Sequence, residues 1–120
     1  MTPLQKAKKL IADASYRAKK NGGICDLDVE WLENIIIHGR CIKTGIKFVI
    51  DSPKKGKGYR NPYGPSLDRI DSHNPDYTYE NVNVVVWAYN NAMATWDDED
   101  IILEVAQGIK NKRLHNANIY

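Results

Sequence analysis

The chain has 120 residues, 42% of them hydrophobic, which suffices for one buried core but not for a second full-sized domain. Its first eighteen residues carry Lys6, Lys8, Lys9 and Arg17 and contain no uninterrupted apolar stretch, so we expect neither a signal peptide nor a membrane-spanning helix. We therefore expect one domain, residues 1–120, in the cytoplasm and without a membrane partner.

The net charge of +2 hides an uneven distribution along the chain. Residues 1–60 contain 13 Lys and Arg against 6 Asp and Glu, a balance of +7, whereas residues 61–120 contain 4 against 9, a balance of −5. A basic half suits contact with a polyanion, and an acidic half suits a site for cations. Two solvated faces with an accidental bias explain the same numbers, so charge alone does not decide the function.

Three helices are predicted from apolar spacing and from residues that start or stop helices. The first is a basic amphipathic helix over residues 3–20, ended by Asn21-Gly22-Gly23. Asp28 is the expected N-cap of a second helix, which stops near His38-Gly39 and packs on the first. A last helix is capped by Asp97, begins with acidic residues and ends in basic ones.

The middle of the chain is predicted to form extended segments and a basic loop. β-Branched residues on both sides of Thr44-Gly45 predict a short hairpin or paired extended segments over residues 41–50. Residues 51–64 are rich in Gly and Pro and lack apolar periodicity, which predicts a loop. Four cations of this loop are expected to contact phosphate: Lys54, Lys55, Lys57 and Arg60.

The order strand, turn, strand, helix is predicted next. The first strand covers Ser66–Asp71, the turn covers residues 72–76, the second strand covers residues 81–87, and the helix begins near Val86. Asp68, Asn81 and Asn90 could converge through this hairpin, and their carboxylate and amide oxygens are the hard ligands that Mg²⁺ prefers. The alternatives are a salt bridge from Asp68 to Arg69, a turn role for Asn81 and a surface position for Asn90.

Two segments, PSLDRID at residues 65–71 and YTYENV at residues 77–82, resemble the PSLDRID…GYT…NV pattern of phage-type HNH endonucleases. The resemblance extends in the expected order from residue 15 to residue 110 and includes Asn90-Asn91-Ala92-Met93. It implies an α+β fold with a ββα-metal (HNH-like) core at residues 40–95. A basic helical region, residues 1–39, precedes this core, and a C-terminal helix over residues 96–113 follows it.

The resemblance also implies roles for single residues. Asp68 and Asn90 are expected to bind the metal ion, Mg²⁺ or Mn²⁺, and Asn81 to tie the loop between the strands and orient the catalytic base. Members of this family normally carry a His directly after the metal-binding Asp, and this chain carries Arg69. Because an arginine keeps its proton at any ordinary pH, we expect Arg69 to hold a phosphate oxygen rather than to act as a base.

The general base must then come from another residue. His73, Asp71 and a hydroxide on the metal ion are the three candidates, and a plain solvent-exposed role for His73 is the alternative. Cys41 stands where many HNH proteins begin a CxxC zinc pair, but Thr44 occupies the second place. No zinc is therefore expected.

Aromatic residues offer a further means of binding bases. Apolar spacing predicts that three tryptophans belong to the core rather than to a stacking surface: Trp31, Trp87 and Trp96. Three tyrosines flank the basic loop and the turn, where base stacking and plain surface positions are both open: Tyr59, Tyr63 and Tyr77.

The expected function is metal-dependent hydrolysis of nucleic-acid phosphodiester bonds, with DNA as the expected substrate, by a phage-derived enzyme in the host cytoplasm. The cations of the loop, together with Arg17, Lys19 and Lys20 of the first helix, are expected to follow the phosphate backbone. A catalytically inactive HNH-fold protein that binds nucleic acid, or a host or phage protein, is the alternative. A homodimer is also open, although no residue specifies an interface.

Overall fold

The protein has an α+β fold of four helices and one small antiparallel sheet. The computed structural model describes residues 1–51, 60–94, 96 and 98–115. In chain order the elements are α1 (Pro3–Lys20), α2 (Val29–His38), β1 (Pro65–Arg69), β2 (Val82–Val86), α3 (Trp87–Met93) and α4 (Glu99–His115). The predicted α+β class and the order strand, loop, strand, helix are confirmed. None of the helices in these ranges is long and apolar enough to cross a membrane.

The chain divides into two compact units, residues 1–90 and residues 91–120. The first unit contains the helical pair and the sheet. The second contains α4, which begins with Glu99 and Asp100 and ends with basic residues, as predicted, and none of whose residues is buried. The predicted cap of this helix, Asp97, lies outside the described residues, and the prediction of a single domain stays a prediction.

The first two helices pack against each other as expected from their apolar stripes. α1 begins with a capping box, in which the Thr2 side chain accepts from the backbone of Gln5 and the Gln5 side chain accepts from the backbone of Thr2. Its buried residues are all alanines, Ala7, Ala14 and Ala18, which allow another element to approach closely. α2 contributes Leu32 and Ile36 to the core.

Of the predicted short hairpin or paired extended segments at residues 41–50, the structure has a tight turn closed by one antiparallel bridge. Arg40 and Lys47 make a single antiparallel bridge, and the Cys41 N–H donates to the carbonyl of Ile46. Gly45, whose φ is +72°, occupies a conformation that residues with a Cβ rarely adopt, and its N–H donates back to Cys41. Cys41 and Phe48 are buried and anchor the turn to the core.

The sheet presents two different faces because side chains alternate along a strand. In the antiparallel register Leu67 lies opposite Val84, and Asp68 lies opposite Asn83. Leu67 and Val84 are buried in the core, whereas Asp68 and Asn83 are half-buried on the other face. The fold therefore places an acid and an amide side by side on one face of the sheet.

Candidate metal and nucleic-acid site

Asn90 joins α3 to the first strand. Its amide nitrogen lies 2.7 Å from the Ser66 hydroxyl oxygen and 3.4 Å from the carbonyl oxygen of Leu67. A carbonyl oxygen only accepts hydrogen bonds, so the contact with Leu67 requires the amide nitrogen, not the amide oxygen, to face the strand. The amide oxygen, the atom that could bind a cation, is left on the other branch of the side chain.

Asp68 shares a sheet face with the residue that Asn90 contacts. Ser66 and Asp68 are two positions apart on β1, so their side chains leave the strand on the same side. The Leu67 carbonyl that Asn90 approaches belongs to the peptide bond directly before Asp68. The sequence-predicted metal residues Asp68 and Asn90 are therefore brought to the same part of β1.

This donor set suits a hard divalent cation that keeps most of its water. Two protein oxygens, one carboxylate and one amide, satisfy only part of an octahedral shell, and Mg²⁺ commonly fills the remainder with water and phosphate oxygens. Among residues 1–51, 60–94, 96 and 98–115, no three His, Cys, Asp or Glu side chains lie close enough to share an ion. A cation held by Asp68 would therefore need ligands of other kinds to complete its shell, such as amide and water oxygens.

Asn81 organises the loop between the strands. Its side chain is 5% exposed, and its amide oxygen accepts from the Asp71 N–H at 2.9 Å. Its amide nitrogen lies 2.9 Å from the carbonyl oxygen of Asp76 and 3.3 Å from that of Asn74. One side chain thus holds three points of the loop through backbone atoms, which is the place that the resemblance gives to the middle Asn.

Arg69 contacts the same loop and a buried ring. Its guanidinium donates to the carbonyl oxygen of Asn74 at 3.1 Å and lies 5.5 Å from the ring centroid of Tyr77. A guanidinium has several N–H donors, and this one bond leaves the others for a phosphate.

Tyr77 is held by two arginines. The Arg17 guanidinium lies 5.6 Å from its ring centroid, and the Arg17 Nε donates to its hydroxyl at 3.2 Å. Because Tyr77 is 4% exposed, it is not a surface stacking residue, and that sequence-based option is wrong. Arg17, predicted to contact nucleic acid, thus also ties α1 to the loop, and its side chain is exposed apart from this contact.

The two candidate bases are at the outer end of the loop. Asp71 and His73 are both exposed, and the Asp71 carboxylate accepts from the His73 backbone N–H at 2.9 Å. This bond fixes the backbone turn and leaves the His73 ring in solvent. The geometry therefore does not choose between the two residues.

The remaining predicted residues divide into exposed, half-buried and undescribed groups. Lys19, Lys20 and Arg60 are exposed, as a phosphate contact requires. The core position predicted for the tryptophans is wrong for Trp96, which is 49% exposed, and Trp31 and Trp87 are only half-buried. Four residues of the predicted basic loop lie outside the described residues: Lys54, Lys55, Lys57 and Tyr59.

Two residues near Asp68 were missed by sequence reasoning. Asn83 lies directly opposite Asp68 in the sheet, and Ser66 accepts the Asn90 amide. The polar Asn83 between Val82 and Val84 was a usable signal, because side chains alternate between the two faces of a strand and Asn83 is half-buried where both valines are buried. The Ser66 contact depends on where α3 lies and has no local signal.

No protein-family model, curated protein or solved structure matches this chain. The resemblance to HNH endonucleases therefore rests on the motif residues alone.

Proposed function

We propose that this protein is a metal-dependent endonuclease of the HNH type that hydrolyses phosphodiester bonds, with DNA as its expected substrate. The observation that carries the proposal is the bond from Asn90 to β1, which places an amide beside the strand and the sheet face of Asp68. Arg69 ends the same strand, and a loop with a carboxylate and an imidazole follows it. Such a combination suits phosphoryl transfer more than it suits structural support alone.

Each residue has a chemical task in this proposal. Asp68 and Asn90 hold Mg²⁺ or Mn²⁺ through their side-chain oxygens, and the bound ion supplies positive charge next to the scissile phosphate. Arg69 donates to a phosphate oxygen with the N–H groups that Asn74 does not use. Asp71 or His73 accepts the proton of the attacking water, and activation without a side-chain base is the third possibility.

The loop geometry supports a positioned rather than a mobile base. Asn81 holds the backbone at Asp71, Asn74 and Asp76, so the segment that carries the candidate bases has a fixed path. Positioning of this kind lowers a barrier because the reacting groups need not be ordered during the reaction. This is the role in which Asn81 would act through its neighbours rather than on the substrate.

Plasmid cleavage tests the proposal directly. Wild type, Asp68→Ala and His73→Ala are compared on supercoiled plasmid and on labelled single strands, with Mg²⁺, Mn²⁺ or EDTA. Glu80→Ala is the matched control, because it removes an exposed carboxylate from the residue next to Asn81. Circular dichroism establishes that each variant is folded.

We expect cleavage that requires metal, is lost in Asp68→Ala and persists in Glu80→Ala. Retention of activity in His73→Ala would leave two possibilities: Asp71 is the base, or the attacking water is activated without a side-chain base. Cleavage of equal rate in wild type and Asp68→Ala would remove Asp68 from the site and contradict the proposal.

One observation favours a second function, a non-catalytic nucleic-acid binder. The family's usual His is replaced by Arg69, which is engaged by Asn74 and Tyr77. A binder of this kind shows a steep salt dependence and no metal requirement. Nucleic-acid binding that is equal in EDTA and Mg²⁺, without any cleavage, would identify it, whereas binding of a host or phage protein alone would indicate the remaining alternative.

A further inference from the structure

A basic cleft lies where the sheet meets the start of α3. It has a volume of about 150 Å³ and is lined by Met1 and by residues of α1, of the turn over residues 41–50, of the segment 60–64, of β1 and of the start of α3. The residues that matter here are Lys6, Val49, Arg60, Asn61, Pro65 and Trp87. All of them belong to the first compact unit, residues 1–90.

The cleft combines two cations with no acidic lining residue among those described. Lys6 is half-buried, and its pKa is lowered first by burial and then by the charge of Lys9, with an opposing effect of Asp13. Asp51, the nearby carboxylate, pairs with the Met1 amino group at 3.7 Å and is itself 83% exposed. A half-buried cation disfavoured by its surroundings gains by contact with an anion.

The walls are held in place by main-chain contacts. The Asn61 amide nitrogen donates to the Val49 carbonyl at 2.5 Å, and its oxygen accepts from the Tyr63 N–H at 3.1 Å. The backbone N–H of Trp87 donates to the Gly64 carbonyl at 2.8 Å. Trp87 therefore borders the cleft from a fixed backbone position.

The size of the cleft limits what it can hold. Pockets for drug-sized ligands usually have volumes of about 300–1,000 Å³, well above this one. One nucleobase with an adjoining phosphate matches the small volume, the apolar wall and the two cations. Base stacking on an aromatic ring combined with a cationic contact to the backbone is the usual way to bind a single strand.

The cleft is also next to the candidate metal site. Trp87 and Asn90 are three positions apart on α3 and lie on neighbouring turns of one helix face. Pro65 directly precedes Ser66 on β1, and the Ser66 hydroxyl contacts the Asn90 amide. A strand with one phosphate beside Asn90 therefore has an adjacent nucleotide within reach of the cleft.

We propose that this cleft binds one nucleotide of a single nucleic-acid strand, next to the phosphodiester bond held at Asp68 and Asn90. Lys6 and Arg60 contact its phosphate, and the indole of Trp87 stacks on its base. The inference rests on the proposed function, because the position of the scissile bond does. The cleft thus acts as a subsite that fixes the position of an unpaired nucleotide relative to the bond that is cut.

Binding without cleavage tests this inference separately from catalysis. The probe is an oligonucleotide of roughly twelve nucleotides that carries one 2-aminopurine, titrated in EDTA so that no metal-dependent cleavage occurs. The variants are Lys6→Gln, Arg60→Gln, Trp87→Leu and Trp87→Phe. Lys8→Gln is the matched control, since it removes the same charge from an exposed position of α1 outside the cleft.

We expect Lys6→Gln and Arg60→Gln each to weaken binding about threefold to tenfold and to reduce the salt slope by about 0.7, the value for one phosphate contact on a single strand. Lys8→Gln should change the affinity less than either. Trp87→Leu should weaken binding by about fivefold or more and remove the fluorescence change of 2-aminopurine, and Trp87→Phe should retain part of both. Circular dichroism and the melting temperature identify any variant that fails to fold.

Three results would overturn the inference. They are equal effects of Lys6→Gln, Arg60→Gln and Lys8→Gln, an unchanged 2-aminopurine signal in a folded Trp87→Leu variant, and tighter binding of a free mononucleotide than of the strand. Metal-dependent cleavage that survives any of these results would leave the proposed function intact. Strand binding through the cleft without any cleavage would retain the subsite and remove the nuclease.

Discussion

Replacement of Asn81 by alanine should destabilise the protein well beyond the loss of a surface side chain. The substitution leaves the Asp71 N–H and the Asp76 carbonyl without their partners at 2.9 Å. Each bond contributes about 1 kcal/mol net, and a donor or acceptor left unpaired in a partly buried place adds to the loss. We therefore expect the free energy of unfolding to fall by about 2–3 kcal/mol, which lowers the melting temperature by roughly 8–24 °C for a unit of this size.

Urea denaturation followed by tryptophan fluorescence and circular dichroism measures this loss. The matched control is Asn83→Ala, which removes the same side chain from a half-buried position two residues further along the chain. We expect the control to cost about 1 kcal/mol or less, which is near the centre of the distribution for single substitutions. Equal losses in the two variants, or an Asn81→Ala variant within about 0.5 kcal/mol of wild type, would refute the reasoning that the loop depends on Asn81.

Three further predictions concern other charges and rings. Asn81→Asp sets a carboxylate against the carbonyl oxygens of Asn74 and Asp76, which raises the pKa of the new carboxyl group. The loss of stability of this variant in thermal denaturation should therefore be largest at neutral pH and should shrink as the pH falls towards that pKa. Tyr77→Phe removes only the bond from Arg17 and should cost about 1 kcal/mol in urea denaturation, whereas Tyr77→Leu also removes both cation–π contacts and should cost about 2–4 kcal/mol. Lys6→Met should raise the melting temperature at pH 7, because burial disfavours the charged form of Lys6 and lowers its pKa. This advantage should shrink as the pH approaches the ordinary lysine pKa of 10.5, where the wild-type lysine loses its charge. A difference in melting temperature that stays constant across that range would contradict burial as the cause.

Elements fixed by local sequence were predicted well. The stripe of α1 and its end at Asn21 follow from spacing and capping, and α2 begins at Val29 directly after Asp28. The strand order also follows locally, although β1 begins at Pro65 and ends at Arg69 rather than extending to Asp71. The physical reason is that helices and tight hairpins are made by residues close in the chain.

Elements decided by distant contacts were not predictable in the same way. The short hairpin or paired segments expected around Gly45 are limited to one antiparallel bridge because the flanks bond elsewhere: the Ile42 N–H donates to Val84, and the Val49 N–H donates to Tyr63. The sequence places Tyr77 beside a turn, yet the residue is buried against Arg17, which is 60 positions away in the chain. A local pattern contains no information on such partners.

The candidate site shows the same division. The motif named Asp68, Asn81 and Asn90, and the structure brings Asp68 and Asn90 to one strand and sets Asn81 under the loop. Ser66 as the anchor of Asn90 follows only from the placement of α3 over the sheet. Arg69 was expected to hold a phosphate oxygen. Its contacts with Asn74 and Tyr77 depend on the tertiary structure and could not be predicted from the sequence.

The hydrogen bonds of Asn81 affect which positions of the loop can vary during evolution. Asn81 binds main-chain atoms of the loop, and every amino acid supplies those atoms. Ser72 and His73 are exposed between the points that it holds, so their side chains contribute little to the shape of the loop. Substitutions at these two positions can alter reactivity or recognition at low cost to folding, which makes the outer end of the loop the part of the site most open to diversification.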